Sequence, residues 1–318
     1  ALRGFELTPN NRRQARVPGG AEVVQNPVGS APMLVVRIGS CTCFVVAGVP
    51  GEYRPLVSDE VLPRIEALRI ARGERARFAV RLLKTIGLPE SQLDQRVARI
   101  AAAHPEVVFG FRTVPPENHL KLSARGPDLD TAERTLATVE AECVAALGTQ
   151  LFGRDDATLP GVVLKLLEGR GETVALAESL TGGGIARELT SVPGASNSLP
   201  GAAVTYQTRL KTDWLGVPDA TIQAEGVVSA EVARGMAEGI RSRAGSAWGL
   251  STTGYAGPGG GDAREPVGAV YIGVAGPDGT THERHVFTGD RERVRRFATF
   301  HALEALRRRL LAAEGRTT

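Results

Sequence analysis

Ala177-Glu178-Ser179-Leu180-Thr181-Gly182-Gly183-Gly184 sets a serine, a threonine and three glycines side by side. Upstream, Thr173-Val174-Ala175-Leu176-Ala177 is a β-branched, apolar run bounded by Gly171. That pattern predicts a buried strand. Downstream, Ile185-Ala186-Arg187-Glu188-Leu189 predicts a helix, stopped by Val192-Pro193-Gly194. The glycines therefore sit on a strand-to-helix turn. Free N–H groups at a helix start favour negative charge. Glycine lets the backbone approach a ligand closely. A nucleophile placed there would find oxyanion donors nearby. A capped, Gly-rich turn that binds nothing has the same local sequence.

From this turn to the chain end, strands and helices alternate, the signature of an α/β layer structure. Thr158 caps a helix with Val162, Val163, Leu166 and Leu167 on its apolar face. Gly201 to Tyr206 predicts a strand, and Thr208 to Leu215 a short helix ended by Gly216-Val217-Pro218. Ser229 caps a helix carrying Val232, Met236 and Ile240. Trp248 to Thr253 predicts a strand. The stretch from Gly254 to Pro266 is too long for a plain turn and reads as a functional loop. Val267–Ala275 and Thr281–Phe287 predict a hairpin about Pro277-Asp278-Gly279. Asp290 then opens a long helix with Val294, Phe297, His301 and Leu306 on one side.

Toward the start, residues 71–152 read as a small α+β domain. It has strands at Ala79–Ile86, Val107–Phe111 and Leu120–Ala124, and helices at Ser91–Ala103 and Asp130–Leu147. Gly153-Arg154-Asp155-Asp156 reads as a turn. Residues 1–70 hold two strands, Met33–Ile38 and Cys43–Ala47, then a Gly/Pro loop and a helix through Val61. That is too little for an independent core, so this segment reads as the end of a larger domain.

The 318-residue chain is 42% hydrophobic, with no apolar run long enough to span a bilayer, and reads as soluble. It begins with Ala rather than Met, carries no signal-peptide pattern, and reads as processed or truncated. Its net charge of +3 suits a small anionic substrate and gives little support to nucleic-acid binding. Aromatic residues, at 5%, leave few stacking platforms for bases. Cys41, Cys43 and Cys143 form neither a disulfide framework nor a zinc set, so no metal is expected, and reduced cytoplasmic thiols account for them.

Several motifs resemble those of the CinA (competence/damage-inducible) family. Glu178-Ser179-Leu180-Thr181-Gly182-Gly183 resembles the family's E-S-x-T-G-G. Val204-Thr205-Tyr206, with Lys211 five residues on, resembles V-T-Y-S-N-x-x-K. Gly226-Val227-Val228-Ser229 resembles G-A-V-S, and the run from Gly254 to Gly261 resembles G-x-A-G-P-x-G-G. Pro266-Val267-Gly268 and Phe287-Thr288-Gly289-Asp290-Arg291, with Arg295, follow in order. Nearer the start, Asn11-Arg12-Arg13-Gln14-Ala15 with Pro18-Gly19-Gly20-Ala21, Asn26-Pro27-Val28-Gly29-Ser30-Ala31-Pro32 and Ala47-Gly48-Val49-Pro50-Gly51-Glu52 resemble the end of the family's molybdopterin-binding-like domain. The middle segment suits its KH-like domain, although a G-x-x-G loop for RNA is missing.

The resemblance implies a three-layer α/β C-terminal domain at 153–318, of the nicotinamide mononucleotide deamidase type. A KH-like domain at 71–152 and the end of a molybdopterin-binding-like domain at 1–70 precede it. The implied reaction converts nicotinamide mononucleotide and water into nicotinate mononucleotide and ammonia, with no cofactor. A divalent metal would enter only with a completed first domain, whose pyrophosphatase activity is not expected of this segment. Ser179 is the expected nucleophile, Lys211 its base, made less basic by burial and neighbouring cations, and Tyr206 a proton relay. Backbone N–H groups around Thr181 and Gly182 would hold the oxyanion. Glu178, Thr181, Gly182, Gly183, Thr253, Gly254, Gly257, Gly260 and Arg291 are the expected substrate-binding residues, with Arg291 on the phosphate.

Two departures from the family pattern involve three positions. Gln207-Thr208 replaces S-N, and Glu265 stands where a Lys is usual before P-V-G. Other readings are a non-catalytic binding or assembly member of the family and a nucleic-acid binder; a cytoplasmic homodimer without membrane attachment is expected. Arg295 and Arg307-Arg308-Arg309 read as solvated, and His301 as a core histidine with its hydrogen bonds satisfied.

Overall fold

The structure, a computed structural model, describes residues 16–313 and 315. The Asn11, Arg12 and Gln14 motif lies outside the described residues. The chain forms two compact units, Ala1–Ala76 and Arg77–Thr318.

In the first unit, β1 (Glu22–Val24), β2 (Met33–Ile38) and β3 (Cys41–Val45) form an antiparallel sheet. The three-residue β1 is too short to show a sequence period. A helical run follows without a break: α1 (Pro50–Leu56), a π-helical turn (Val57–Val61) and α2 (Leu62–Ala71). It starts inside the expected loop, because Pro50 occupies a first helical turn where its missing N–H is harmless, and it continues well past Val61. Buried Asn26 accepts from the N–H groups of Val28 and Gly29 and donates to Glu52 at 2.7 Å. The N-P-V-G turn is thus tied to the G-V-P-G-E segment.

The second unit contains two sheets. The first has the order β5-β6-β4-β7, from β4 (Arg77–Ile86), β5 (Val107–Val114), β6 (Glu117–Gly126) and β7 (Leu151–Arg154). Helices α3 (Glu90–Ala103) and α4 (Leu129–Leu147) cover it. Leu136, Val139, Cys143 and Leu147 form the buried α4 stripe read from the sequence. Gly153 and Arg154 belong to β7, paired with β4, rather than to a turn.

The second sheet has the order β12-β11-β10-β8-β9. After α5 (Leu159–Arg170) come β8 (Val174–Glu178), α6 (Gly184–Thr190), β9 (Gly201–Val204), α7 (Thr208–Leu215), α8 (Asp219–Glu225) and α9 (Ala230–Ala244). β10 (Trp248–Gly254), β11 (Ala269–Gly276), β12 (Gly279–Val286) and α10 (Arg291–Ala313) complete the chain. The strand period of two splits β8 between layers. Val174 and Leu176 join a cluster with α5, α6 and α10, while Ala175 and Ala177 join another with Leu215, Val232 and Met236. Helices therefore cover both faces, giving the three-layer α/β arrangement.

β8 lies between β9 and β10 and runs parallel to both. The carboxyl ends of these strands thus flank a point where the chain switches direction across the sheet, the usual place for a ligand in such folds. α10 departs from expectation at its far end. Arg307 is buried, bound to Glu304 at 2.7 Å and to the Thr149 carbonyl. Arg308 pairs with Glu283 at 2.7 Å. No helix among the described residues is long and apolar enough to cross a membrane.

Candidate active site

Three strand ends deliver the site. Ser179 follows β8, Thr205 and Tyr206 follow β9, and Thr253 and Gly254 close β10. Ladder bonds fix their register: Ser179 N–H donates to Thr252 O at 3.0 Å, and Thr205 N–H to Glu178 O at 2.9 Å. An open cavity of about 220 Å³ lies over these ends. Its lining includes Ser179, Tyr206, Lys211, Thr253, Gly254 and Arg291.

Lys211 is 1% exposed although it sits on α7. Its Nζ donates to Thr205 O at 2.6 Å and to Ser179 Oγ at 3.2 Å. Among the described residues no carboxylate pairs with it. Burial alone pushes its pKa down from 10.5 to about 8, because an ammonium without water or counter-charge is disfavoured. The neighbouring cations expected to contribute have no part in the shift.

Glu178, expected to bind substrate, is fully buried and supports the turn instead. Its carboxylate accepts from the N–H groups of Gly183, Ile185 and Ala186 at 3.0, 3.1 and 2.9 Å. A carboxylate on the first turn of α6 satisfies donors that the helix leaves open and complements its dipole. Gly182 and Gly183 hold φ of +60° and +90°, which a side chain would resist. Gly182 N–H is spent on Ser179 O, so it is not a free oxyanion donor. Thr181 is buried against Thr252, Oγ1 to Oγ1 at 2.8 Å. These residues shape the turn without lining the cavity.

Arg295, expected in solvent, also holds this turn. Its Nε and Nη2 donate to the carbonyls of Leu180 and Thr181 at 3.0 and 2.9 Å. In a planar trans peptide the N–H points opposite the carbonyl. Clamping Leu180 O therefore turns the Thr181 N–H away from Arg295. The N–H groups of Leu180 and Thr181 have no acceptor among the described residues.

At the rim, Arg291 donates to Gly257 O at 2.8 Å and to Tyr206 Oη at 2.6 Å. Tyr206 is 56% exposed, and among the described residues its hydroxyl meets Arg291 rather than Ser179 or Lys211, so the expected relay is not assembled. Gly257 meets the site through its carbonyl. Gly260 underlies Tyr255: a Cβ there would lie 3.1 Å from the ring. Thr253 Oγ1 donates to Val227 O at 2.8 Å.

Leu180, Thr208, Val228 and Tyr255 line the cavity as well. All four lie within or beside the quoted motifs, but only the folded chain shows which way they face. Glu265, the reversed charge, meets Arg284 at 2.8 Å and accepts from Tyr271 Oη at 2.5 Å. The reversal is neutralised within the β11–β12 hairpin.

Residues 156–310 match the model of the CinA C-terminal domain, and residues 80–153 that of the damage-inducible protein CinA KH domain. A CinA-like protein of Myxococcus xanthus (strain DK1622) is 51% identical over 314 residues, covering 98% of this chain and 75% of the relative. The chain belongs to the CinA family. A second CinA-like protein, from Anaeromyxobacter dehalogenans (strain 2CP-C), is 45% identical over 306 residues, covering 96% of this chain and 73% of its own. A crystal structure of a competence-damaged protein (CinA) superfamily protein from Klebsiella pneumoniae 700603 shares 31% identity. It aligns with 48% of this chain and 96% of its own, at a TM-score of 0.47.

Proposed function

We propose that the C-terminal domain is an amidohydrolase acting on nicotinamide mononucleotide, releasing ammonia and nicotinate mononucleotide. The observation that carries this reading is Ser179 Oγ, 3.2 Å from a buried, unpaired Lys211 Nζ. A bare serine is a weak nucleophile and needs an adjacent base. A lysine with a pKa of about 8 is neutral in an appreciable fraction of molecules near neutral pH.

Neutral Lys211 takes the Ser179 proton as Oγ attacks the amide carbon. The resulting oxyanion finds the free N–H groups of Leu180 and Thr181. Lys211 passes the proton to the leaving nitrogen, and ammonia departs, leaving an ester on Ser179. Water then gives one proton to Lys211 and attacks that ester, the proton returns to Ser179 Oγ as the acid is released, and the product carboxyl loses its remaining proton to solvent. Arg291, at the rim, suits the substrate phosphate, since its planar fork pairs two phosphate oxygens. Tyr206 orients that fork. The reaction uses no cofactor and no group from the first unit. We also propose that the protein works as a homodimer in the cytoplasm.

Incubating the purified chain with nicotinamide mononucleotide tests this reading. Stoichiometric ammonia and nicotinate mononucleotide are expected, with a rate that rises as the pH passes about 8. Folded Ser179→Ala should lose at least about a thousandfold in kcat. Wild-type protein that releases no ammonia, or a Ser179→Ala protein with near-normal turnover, overturns it.

A further inference from the structure

A second cavity, of about 380 Å³, lies between the two sheets of the second unit. It shares no residue with the serine–lysine cavity. One wall comes from Gly87-Leu88-Pro89 after β4 and from the Pro115-Pro116 turn between β5 and β6. The other comes from Phe287 and the α10 residues Arg293, Phe297 and His301. Its volume falls within the range of about 300–1,000 Å³ usual for small-molecule sites.

The α10 wall is aromatic, and His285 stacks on Phe287 at 5.3 Å. The Phe287 ring lies 5.6 Å from Phe297 and 5.0 Å from His301, and the Phe297 and His301 rings are within 18° of parallel. Neither His301 nitrogen has a hydrogen-bond partner among the described residues, contrary to the satisfied core histidine expected. Burial pushes its pKa down to about 4. The ring is therefore neutral, with one donor and one acceptor open. Arg293 lies over Phe297, its Cζ 4.4 Å from the ring centre, and donates from Nε to Thr288 O. It pairs with no carboxylate among the described residues. The carboxylate in the lining, Glu117, is already held by His119 at 2.7 Å.

We infer that this cavity is a second ligand site, which takes an aromatic anion of nucleotide size. The Phe287, Phe297 and His301 rings give the aromatic part an apolar, edge-on or tilted contact. The open His301 nitrogens meet a hydrogen-bonding ring edge. The unpaired Arg293 guanidinium takes the anion. Arg293 and His301 stand eight positions apart on one helix, about 12 Å of rise. Their side chains converge on Phe297, with Arg293 Cζ 4.4 Å and the His301 ring centre 6.3 Å from its ring centre, so a nucleoside monophosphate, with ring and charge at opposite ends, meets both. α10 thus brings Arg291 to one cavity and Arg293 to the other.

The chain has five histidines, so the imidazole Cε1–H signals of the full-length protein are countable by NMR. His301→Gln assigns the His301 signal by its loss. Titration with AMP and UMP should move that signal saturably, while His104, held by Glu106 and Glu142, stays still. Arg293→Ala, an exposed side chain whose removal spares the core, should weaken binding about tenfold or more. Adenosine and inorganic phosphate, each lacking one half of the ligand, should bind more weakly by the same order. The inference fails if neither nucleotide moves the His301 signal. It fails equally if Arg293→Ala binds as wild type does, if phosphate alone matches AMP, or if His104 shifts along with His301.

Discussion

Among the described residues of the second unit, the cations Lys211 and Arg307 are almost wholly buried, and their surroundings treat them in opposite ways. Lys211, 1% exposed, meets a carbonyl and a hydroxyl and no counter-charge. Arg307, 3% exposed, meets both oxygens of Glu304, at 2.7 and 2.8 Å, and the Thr149 carbonyl. A guanidinium keeps its proton wherever it is placed, so burial demands a partner. An ammonium can shed its proton instead, and burial without a partner makes that easier. Arg307 therefore acts as a staple between α10 and the segment after α4. In the proposed reaction, Lys211 is the group that moves the proton.

The sharpest way to break this contrast is to remove the proposed base. Lys211→Met should lower kcat for ammonia release by about two to four powers of ten, the usual range for a general base. Lys211→Arg should not rescue it, since guanidinium stays protonated. Near wild-type kcat in the arginine variant would assign the base to another group.

Next in size is the staple. Glu304→Ala leaves Arg307 buried and unpaired, which should destabilise the second unit by about 3–5 kcal/mol in denaturant unfolding. KM of the folded fraction should hold. Lys211→Met should do the reverse at pH 7. The folded lysine has a pKa of about 8, against an ordinary 10.5 once unfolded, so between those values the unfolded chain binds the extra proton. Wild-type stability therefore rises with pH across that window, by about 3 kcal/mol in all. At pH 7 that stability is missing. Replacing the lysine should then gain about 1–2 kcal/mol after the lost Thr205 hydrogen bond, and the gain should vanish near pH 10.5. A gain that is flat with pH would contradict burial as the cause of the shift.

The mildest test uses a third cation, exposed Arg291. Arg291→Ala should raise KM about tenfold and leave kcat nearly unchanged, the pattern of a group that only binds. A fall in kcat instead would place Arg291 on the reacting atoms.

Elements written in local sequence were legible. Thr158 and Ser229 cap their helices as read, each accepting from the N–H three residues on. The Val174/Leu176 and Ala175/Ala177 split follows from period two alone. Ser179, Lys211 and Arg291 were legible through motif order, and they do meet in one cavity. Features that depend on distant partners were not legible. Arg295 looks solvated until its contact with Thr181, 114 positions away, is seen. Glu178 looks like a ligand because its three donors are backbone N–H groups, which have no signature in side-chain sequence. The α8 helix was missed because Val217-Pro218 reads as a stop, whereas Pro218 is the residue from which α8 starts.

The Glu265–Arg284 pair bears on how this domain can be recombined. The loop from Gly254 to Pro266 looks like a cassette that could be exchanged for a relative's version. Its anchor, however, lies on β12 and on the Tyr271 hydroxyl of β11. A graft restoring lysine at position 265 would set a lysine against the exposed Arg284 in place of the ion pair and remove the acceptor of the Tyr271 hydroxyl. Loop and hairpin are therefore one unit of exchange, and a chimera that moves the loop without position 284 should lose that anchor before its substrate preference can be measured.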